Sequence, residues 1–411
     1  MNPQSTQQAM SQPINAQQEK LLHAILSQPT APFREKQVLA TITQELKKFS
    51  VPYFEDPLGN LILGVSNKSE YIQLIKKKTA EPVRLFMAHL DHPGFHGMQW
   101  KEQTQLEVQW HGGTPTQHLE NAKVWLADEL GTVAHGVIQS ATLLPSRRAM
   151  DTARITLTET LRSPWQPKNR IPKKLYGGFR FRAPYWRKGE LIYAQAADDL
   201  VGAFAIVWLA LALNKPKNKS KKIRERVPFL GLLTRAEEVG FVGAIGHFQL
   251  DWLSKAQRPV VCISLETSRT LAGAEIGKGP IVRLGDKTTV FNPNAVKVLS
   301  DLAQQLLPEK HQRRIMDGGS CEATAATAFG YTSLGISIAL GNYHNQNFEG
   351  GPDCMGPGGP APEFVHLQDI QGMLTLCQGL LKSHLPWSTP WRHTQRELIK
   401  GFHQYRPLLR T

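Results

Sequence analysis

The sequence predicts an α/β fold: a mixed central sheet with helices on both faces, interrupted by a smaller β-rich segment. Two observations place the sheet. Short apolar runs of strand length, among them Val227–Leu233, Pro259–Leu265 and Thr332–Leu340, alternate with longer runs of helical spacing. Strands apolar throughout suit a sheet covered on both sides. A third observation places the insertion. From about Phe95 to Glu190 the pattern changes to two-residue alternation with frequent Gly and Pro, as in a small antiparallel domain. A chain of 411 residues is long enough for one large core and such an insertion.

In chain order, Met1 to Gln18 is rich in Gln and carries no charged side chain. It lacks a basic n-region and an apolar h-region, so a disordered tail is expected over 1–18 and no signal peptide. Gln18–Leu26 and Phe33–Phe49 have helical spacing, with Glu35, Lys36, Lys47 and Lys48 set for a solvent face. Val51–Phe54 and Asn60–Gly64 read as strands around the turn signal Pro57-Leu58-Gly59, and Pro82–Ala88 as a buried strand. The β-rich domain is expected over 95–190, with strands at Leu106–Trp110, Lys123–Leu126, Gly131–Ile138 and Ala153–Leu157. The main domain, 19–94 and 191–385, resumes with the strand Leu191–Ala196 and a buried helix, Val201–Leu213. Val282–Leu284 reads as a strand; Asn294–Leu307 and Val365–Leu381 read as helices. A basic, aromatic tail covers 386–411. No internal repeat is present.

Composition narrows the function. The longest apolar stretch, Phe204–Leu213, is shorter than the roughly 18 residues of a membrane span, so no membrane partner is expected. The formal net charge is +14. Leu161–Glu190 holds nine Lys/Arg against one acid, interleaved with aromatics such as Trp165 and Tyr176, and Lys215–Arg226 is a second basic tract. Such a mixture can bind single-stranded nucleic acid or attract acidic peptides, but a solvated face explains it more simply, and nucleic acid is not expected as a partner. Cys262, Cys321, Cys354 and Cys377 show no C-x-x-C spacing. That argues against a thiolate zinc site and a disulfide framework, and for the reducing cytoplasm.

Reactive side chains gather where buried strands end. Val227–Leu233 runs into Thr234-Arg235-Ala236-Glu237-Glu238-Val239-Gly240. Each of two carboxylates at the tip of a buried strand needs a partner. A metal suits one and a reaction proton the other; a helix N-terminus, whose dipole favours carboxylates, is the plainer alternative. Pro82–Ala88 runs into His89-Leu90-Asp91-His92-Pro93-Gly94. Residues i and i+2 of an extended segment share a face, which lets Asp91 brace a metal-ligating His89. His92 and His96 compete with His89 as ligands; His89 is preferred because it comes first after the strand. Asp198-Asp199 precedes the buried helix, placed to N-cap it or to bridge two metals. Glu266 ends the strand Pro259–Leu265, and His344 follows Thr332–Leu340. Asp317–Ala323 is a Gly-rich loop that offers backbone N–H groups to an anion. Asp286 and Asp317 read as solvated, and His111, His118 and His135 as structural or surface residues.

Ligands in open α/β sheets sit outside the carboxyl ends of strands. Gathered there, His89, Asp198, Glu238, Glu266 and His344 suit two divalent ions, with Zn²⁺ first and Co²⁺ or Mn²⁺ as alternatives. Two ions about 3.5–4 Å apart share and acidify a water, and one carboxylate must remain off the metals to move its proton.

This ordered set resembles the cocatalytic di-metal aminopeptidase clan, and most nearly its glutamyl/deblocking family, whose members form tetrahedral dodecamers. The resemblance spans about residues 20–385. It implies a phosphorylase/hydrolase-like di-zinc exopeptidase with a small β-barrel-like insertion, a peptide substrate and a homo-oligomer. By position, His89 ligates one metal and Asp91 braces it. Asp198 bridges both, with a cis peptide to Asp199. Glu237 is the general base and acid, and Glu238 is a ligand. Glu266 completes the His89 site and His344 the Glu238 site. Asp317–Ala323 matches a Gly-Gly loop near the substrate, and Glu363 a Glu that follows the last His. The chain departs from the pattern at His92-Pro93, where Glu-Val is usual, at Leu200 in place of a basic residue, at Glu266 in place of Asp, and in a Gly/Pro-rich insertion between His344 and Glu363. Two alternatives stand beside the aminopeptidase: a related amidohydrolase, such as a deacylase or carboxypeptidase, and a degenerate binding protein with a basic surface.

Overall fold

The computed structural model describes residues 14–159, 171–214 and 228–410. Most of the Gln-rich tail, Trp165, the basic tract Lys215–Arg226 and Val227 lie outside the described residues. The helices are α1 (Ala16–Leu26), α2 (Lys36–Lys48), α3 (Lys68–Lys76), α4 (Leu200–Asn214), α5 (Val242–Gln249), α6 (Pro293–Leu306), α7 (Glu322–Ala328), α8 (Leu367–Leu380) and α9 (Arg392–Tyr405). The strands are β1 (Tyr53–Glu55), β2 (Leu61–Leu63), β3 (Val83–His89), β4 (Gly94–Glu102), β5 (Gln105–His111), β6 (Lys123–Asp128), β7 (Gly131–Leu143), β8 (Met150–Leu157), β9 (Tyr176–Phe179), β10 (Tyr185–Lys188), β11 (Leu191–Ala194), β12 (Phe229–Thr234), β13 (Val260–Arg269), β14 (Ile281–Asp286), β15 (Gln312–Met316), β16 (Thr332–Leu340) and β17 (Glu363–His366).

Eight strands form the central sheet in the order β1-β2-β12-β3-β13-β16-β14-β15. Its middle, β12-β3-β13-β16, is parallel, while β2 and β14 run antiparallel to their inner neighbours. The apolar strands feed two cores because alternate side chains point to opposite faces. In β3, Phe86 and Ala88 join the core under α1, α2, α4, α6 and α8, while Val83, Leu85 and Met87 join the core under α3, α5 and α7. Helix α4 lies in the first core with Leu200 to Leu211 all buried, which is why it is apolar on every side.

Residues 94–157 and 176–179 supply a closed six-stranded barrel, β4-β5-β8-β7-β6-β9, around Phe95, Val108, Ile138, Ile155 and Phe179. Gly177 lets two barrel strands and a ring approach closely: a Cβ there would meet the Trp125 carbonyl oxygen at 2.1 Å and the Phe95 ring at 2.3 Å.

Several local expectations change. Tyr185–Lys188 lies past the barrel and pairs with β11, which pairs in turn with β17. The start of the closing helix at Val365 belongs instead to β17. Glu266 is not at a strand tip: β13 continues to Arg269, beyond its pairing with β3, because β16 runs alongside it to Leu340. Glu35, expected on a solvent face, is fully buried; it accepts hydrogen bonds from the Ala236 N–H and the Arg235 guanidinium. Asp286, expected to be solvated, is buried and accepts from the Thr288, Thr289 and Cys321 N–H groups. Asp317 is exposed and paired with Arg314. The tail forms α9, which buries none of its residues and leaves Leu398 70% and Phe402 49% exposed.

Gly177→Ala overfills the barrel with the rest of the fold unchanged. The expected loss is about 1–3 kcal/mol, read as a lower denaturant midpoint at unchanged slope.

Candidate metal centre

The parallel strands end on one rim. His89 is the last residue of β3, level with Thr234 at the end of β12, so the turn after β12 carries Glu237 and Glu238 past His89. That turn is held from below. The Asp91 carboxylate accepts the Glu237 N–H at 2.9 Å and the Glu238 N–H at 3.1 Å. Glu35 fastens Ala236, whose φ of 54° lies in the left-handed region.

Asp198 lies between the two imidazoles. Its Oδ1 is 3.6 Å from His89 Nε2, and its Oδ2 is 3.7 Å from His344 Nε2. His89 Nε2 is 3.5 Å from Glu266 Oε1, and His344 Nε2 is 3.2 Å from Glu238 Oε2. Two ligands each about 2.05 Å from a tetrahedral ion stand roughly 3.3 Å apart, so these are separations of ligands sharing an ion. The ligand atoms of His89, Asp198 and Glu238 lie within 4.8 Å of one another, as do those of His89, Asp199 and Glu266. Glu237 Oε2 is 3.9 Å from His89 Nε2. Buried oxygens of Glu238, Glu266 and Asp199 lack a hydrogen-bond partner, an expensive state for carboxylates unless something else satisfies them. The donor set and these oxygens fit divalent cations.

The supporting contacts are specific. His89 Nδ1 is 3.1 Å from the Asp91 carbonyl oxygen and 3.7 Å from its carboxylate, so the main chain is the nearer brace and the carboxylate serves the Glu237–Glu238 turn. Thr267 donates to Asp198 Oδ1. The Asp198–Asp199 peptide is cis. Glu363 accepts the N–H groups of Ala197, Asp198 and His344. The His344 ring stacks on Tyr343 at 3.7 Å, and the barrel reaches it too: a Cβ on Gly113 would meet His344 Nδ1 at 2.1 Å. His92 and His96 are turned elsewhere. His92 uses both ring nitrogens on Asp198 O and Asn345 Oδ1, and His96 Nε2 is 2.8 Å from the Pro32 carbonyl oxygen.

Glu322 lies inside the Gly-rich loop motif, where the sequence pattern assigns it no role. It is fully buried and bonded to Thr234, with one oxygen unpartnered. The only signal for it was an acid inside an Ala-rich helix start. Beside Glu266, a narrow cleft is lined by Arg269, Arg283, Gly318, Gly319 and Tyr343. Arg283 is 3.7 Å from Glu266 and donates to Ser268.

So many carboxylates in one buried place keep protons. Burial, only partly offset by His89, pushes Glu266 to about 8. Burial also raises Glu237 well above the carboxylate range; His89 opposes the rise, while Glu238 and Glu266 add to it. Burial works against a charged His344, but Glu238 and Asp198 outweigh it and hold the ring at about 9. Asp198 goes the other way: burial opposes its charge, and His89 and His344 overcome this.

The sequence model of the M42 glutamyl aminopeptidase family matches residues 71–348, more than half of the chain. The chain belongs to this family. It is therefore a hydrolase, a metallo-aminopeptidase that uses divalent metal; the deacylase, carboxypeptidase and binding-protein alternatives are set aside. Solved structures similar to this M42 peptidase share its fold at low identity. The TET aminopeptidase of the marine sediment archaeon Thaumarchaeota archaeon SCGC AB-539-E09 has a TM-score of 0.67 at 20% identity, covering 90% of this chain and 97% of that one. The Pyrococcus horikoshii TET1 peptidase, described as assembling into a tetrahedron or a large octahedral shell, has a TM-score of 0.66 at 18% identity, covering 89% and 99%. An aminopeptidase from Desulfurococcus kamchatkensis has a TM-score of 0.68 at 18% identity, covering 90% and 96%. No curated protein matches the M42 peptidase by sequence. Among its described residues no helix is long and apolar enough to cross a membrane.

Metal ligands must be deprotonated, so binding expels protons. With His344 at about 9 and Glu266 at about 8 in the metal-free protein, metal affinity is expected to rise with pH across 7 to 9 and to fall steeply below. Calorimetry at pH 7 in buffers of different ionisation enthalpy should show net proton release on binding.

Proposed function

We propose that this M42 aminopeptidase holds two divalent ions, zinc in the first instance, and removes N-terminal residues from peptides that carry a free amine. The observation that carries the reading is Asp198, whose two oxygens face different imidazoles. On this reading Asp198 is the shared ligand, His89 and Glu266 complete one site, and Glu238 and His344 complete the other. A bound pair of ions would supply an acidified water and stabilisation of the oxyanion.

Glu237 is the proton carrier. It stands at the same rim, but at 3.9 Å from His89 Nε2 it is farther off than Glu266 at 3.5 Å, as Glu238 is nearer His344 at 3.2 Å. Its backbone N–H is fixed by Asp91, which aims the carboxylate at the reacting water. It takes the proton as the carbonyl carbon is attacked and gives it to the leaving amine as the C–N bond breaks. Asp91 thus positions both Glu237 and His89. The cleft beside Glu266 is where the substrate's first side chain would enter, with Gly318 and Gly319 keeping its wall low.

We further propose a homo-oligomer in the cytoplasm, with the barrel strands β4 to β9 contributing to substrate access. Four free cysteines are consistent with that compartment, and the tetrahedral and octahedral assemblies named for the Pyrococcus horikoshii relative are consistent with self-association. The exposed Leu398, Ile399, Phe402 and Tyr405 of α9 supply an apolar face for it.

Glu237→Gln should keep the metal content and lose about 10²–10⁴-fold in kcat on aminoacyl arylamides; activity within a few-fold of wild type would remove Glu237 from its role. N-acetylated substrates should be refractory, and their cleavage at the unblocked rate would contradict the free-amine requirement. Leu398→Glu with Phe402→Glu should lower the mass measured by light scattering while leaving the melting temperature unchanged.

A further inference from the structure

The two turns that carry the shared carboxylate and the last imidazole, Ala197–Asp198 and His344–Asn345, come from distant parts of the chain. Their N–H groups converge on Glu363, with Ala197 and Asp198 on one oxygen and His344 on the other. A carboxylate that accepts can do nothing for the Asp198 carbonyl oxygen, which also needs a donor, and a neutral imidazole donates from one ring nitrogen only. His92 stands beside that oxygen and beside the Asn345 side chain. It is 3% exposed. Its Nδ1 is 2.9 Å from the Asp198 carbonyl oxygen, and its Nε2 is 3.1 Å from Asn345 Oδ1. The Asn345 amide is oriented by its own donation to the Gln195 carbonyl oxygen at 3.1 Å, just before the Asp198 turn. Asn342, His344 and Asn345 all have φ near 55°, a conformation that non-glycine residues adopt at a cost and keep only when their surroundings enforce it.

We infer that His92 is a positioning residue: it ties the Asp198 main chain to the His344–Asn345 turn and so sets the shared carboxylate against the terminal imidazole. The inference rests on the two-metal reading of the site. His92 touches neither substrate nor metal, since both ring nitrogens are engaged, and it acts through Asp198 and His344 alone. Loosening it disturbs the shared Asp198 at both sites and His344 as well at the Glu238–His344 site, while His89 and Glu266 remain fixed on their strands. The second equivalent of metal is therefore the one that weakens most. Removing a group that orients a ligand commonly costs 10–100-fold in metal affinity.

The test is Zn²⁺ titration of the full-length protein by calorimetry, with metal content by mass spectrometry, for wild type and His92→Phe, which keeps a ring and loses both contacts. The expected result is two equivalents in wild type. In the variant, a first equivalent weakened less than the second, and a second about 10–100-fold weaker, are expected at an unchanged melting temperature, with kcat recovering as Zn²⁺ is raised. A purely structural role would not give recovery by metal. Two equivalents of unchanged affinity in His92→Phe would overturn the inference. If that variant does not fold, Asn345→Ala removes the other end of the tie and carries the same expectation and the same overturning result. Wild type binding fewer than two equivalents would instead overturn the two-metal reading, and that is seen before any variant is compared.

Discussion

The site depends on one electrostatic constraint: more carboxylates are buried at the rim of the sheet than the protein's own cations can neutralise. Asp198, Asp199, Glu266, Glu322 and Glu363 are all buried, and Glu237 and Glu238 stand beside them. Against them are His89, His344 and the guanidinium of Arg283. Isolated buried charge is costly enough that such groups take up protons or find counter-ions. Without metal the surplus is met by protons, which is why Glu266 and His344 titrate so high. Divalent ions bound there would meet it with their own charge. The same surplus that would weaken a purely structural core is what would draw cations to the rim.

The fold steadies the rim through three buried acids that main-chain donors hold. Asp91 takes two N–H groups from the Glu237–Glu238 turn, Glu363 takes three from the turns of Asp198 and His344, and Asp286 takes three beneath the Gly-rich loop. The strands supply the rigid part. His89 and Glu266 belong to neighbouring strands of the parallel sheet, whereas Glu238 and His344 ride on turns that must be pinned from several sides. The barrel takes part in that pinning, because Gly113 lies directly against His344.

Much of this was legible in the sequence because apolar strands that stop at a charge are unusual. Thr332–Leu340 has its expected limits, β3 and β12 lie where apolar runs placed them, and the residues past their ends meet. The two-residue alternation after Phe95 marked the segment that becomes the barrel. What the sequence hid were partners made by main-chain groups far away. Glu35 sits among helix-surface residues in its pattern, yet it is buried because the Arg235–Ala236 turn needs its oxygens. Asp286 has the same history with Thr288, Thr289 and Cys321. The strand Gln312–Met316 has a polar, half-exposed pattern that no apolar period announces. Glu266 reads as a strand tip because apolarity ends there, whereas pairing with β16 continues.

The central claim is that a single carboxylate is shared by two cations at this rim. The most direct measurement is anomalous diffraction at the zinc edge from crystals of the zinc-loaded protein. Two peaks about 3.5–4 Å apart are expected, one between His89 and Glu266 and one between Glu238 and His344, each within bonding distance of a different oxygen of Asp198. A single peak, or ions bound away from Asp198, would contradict it.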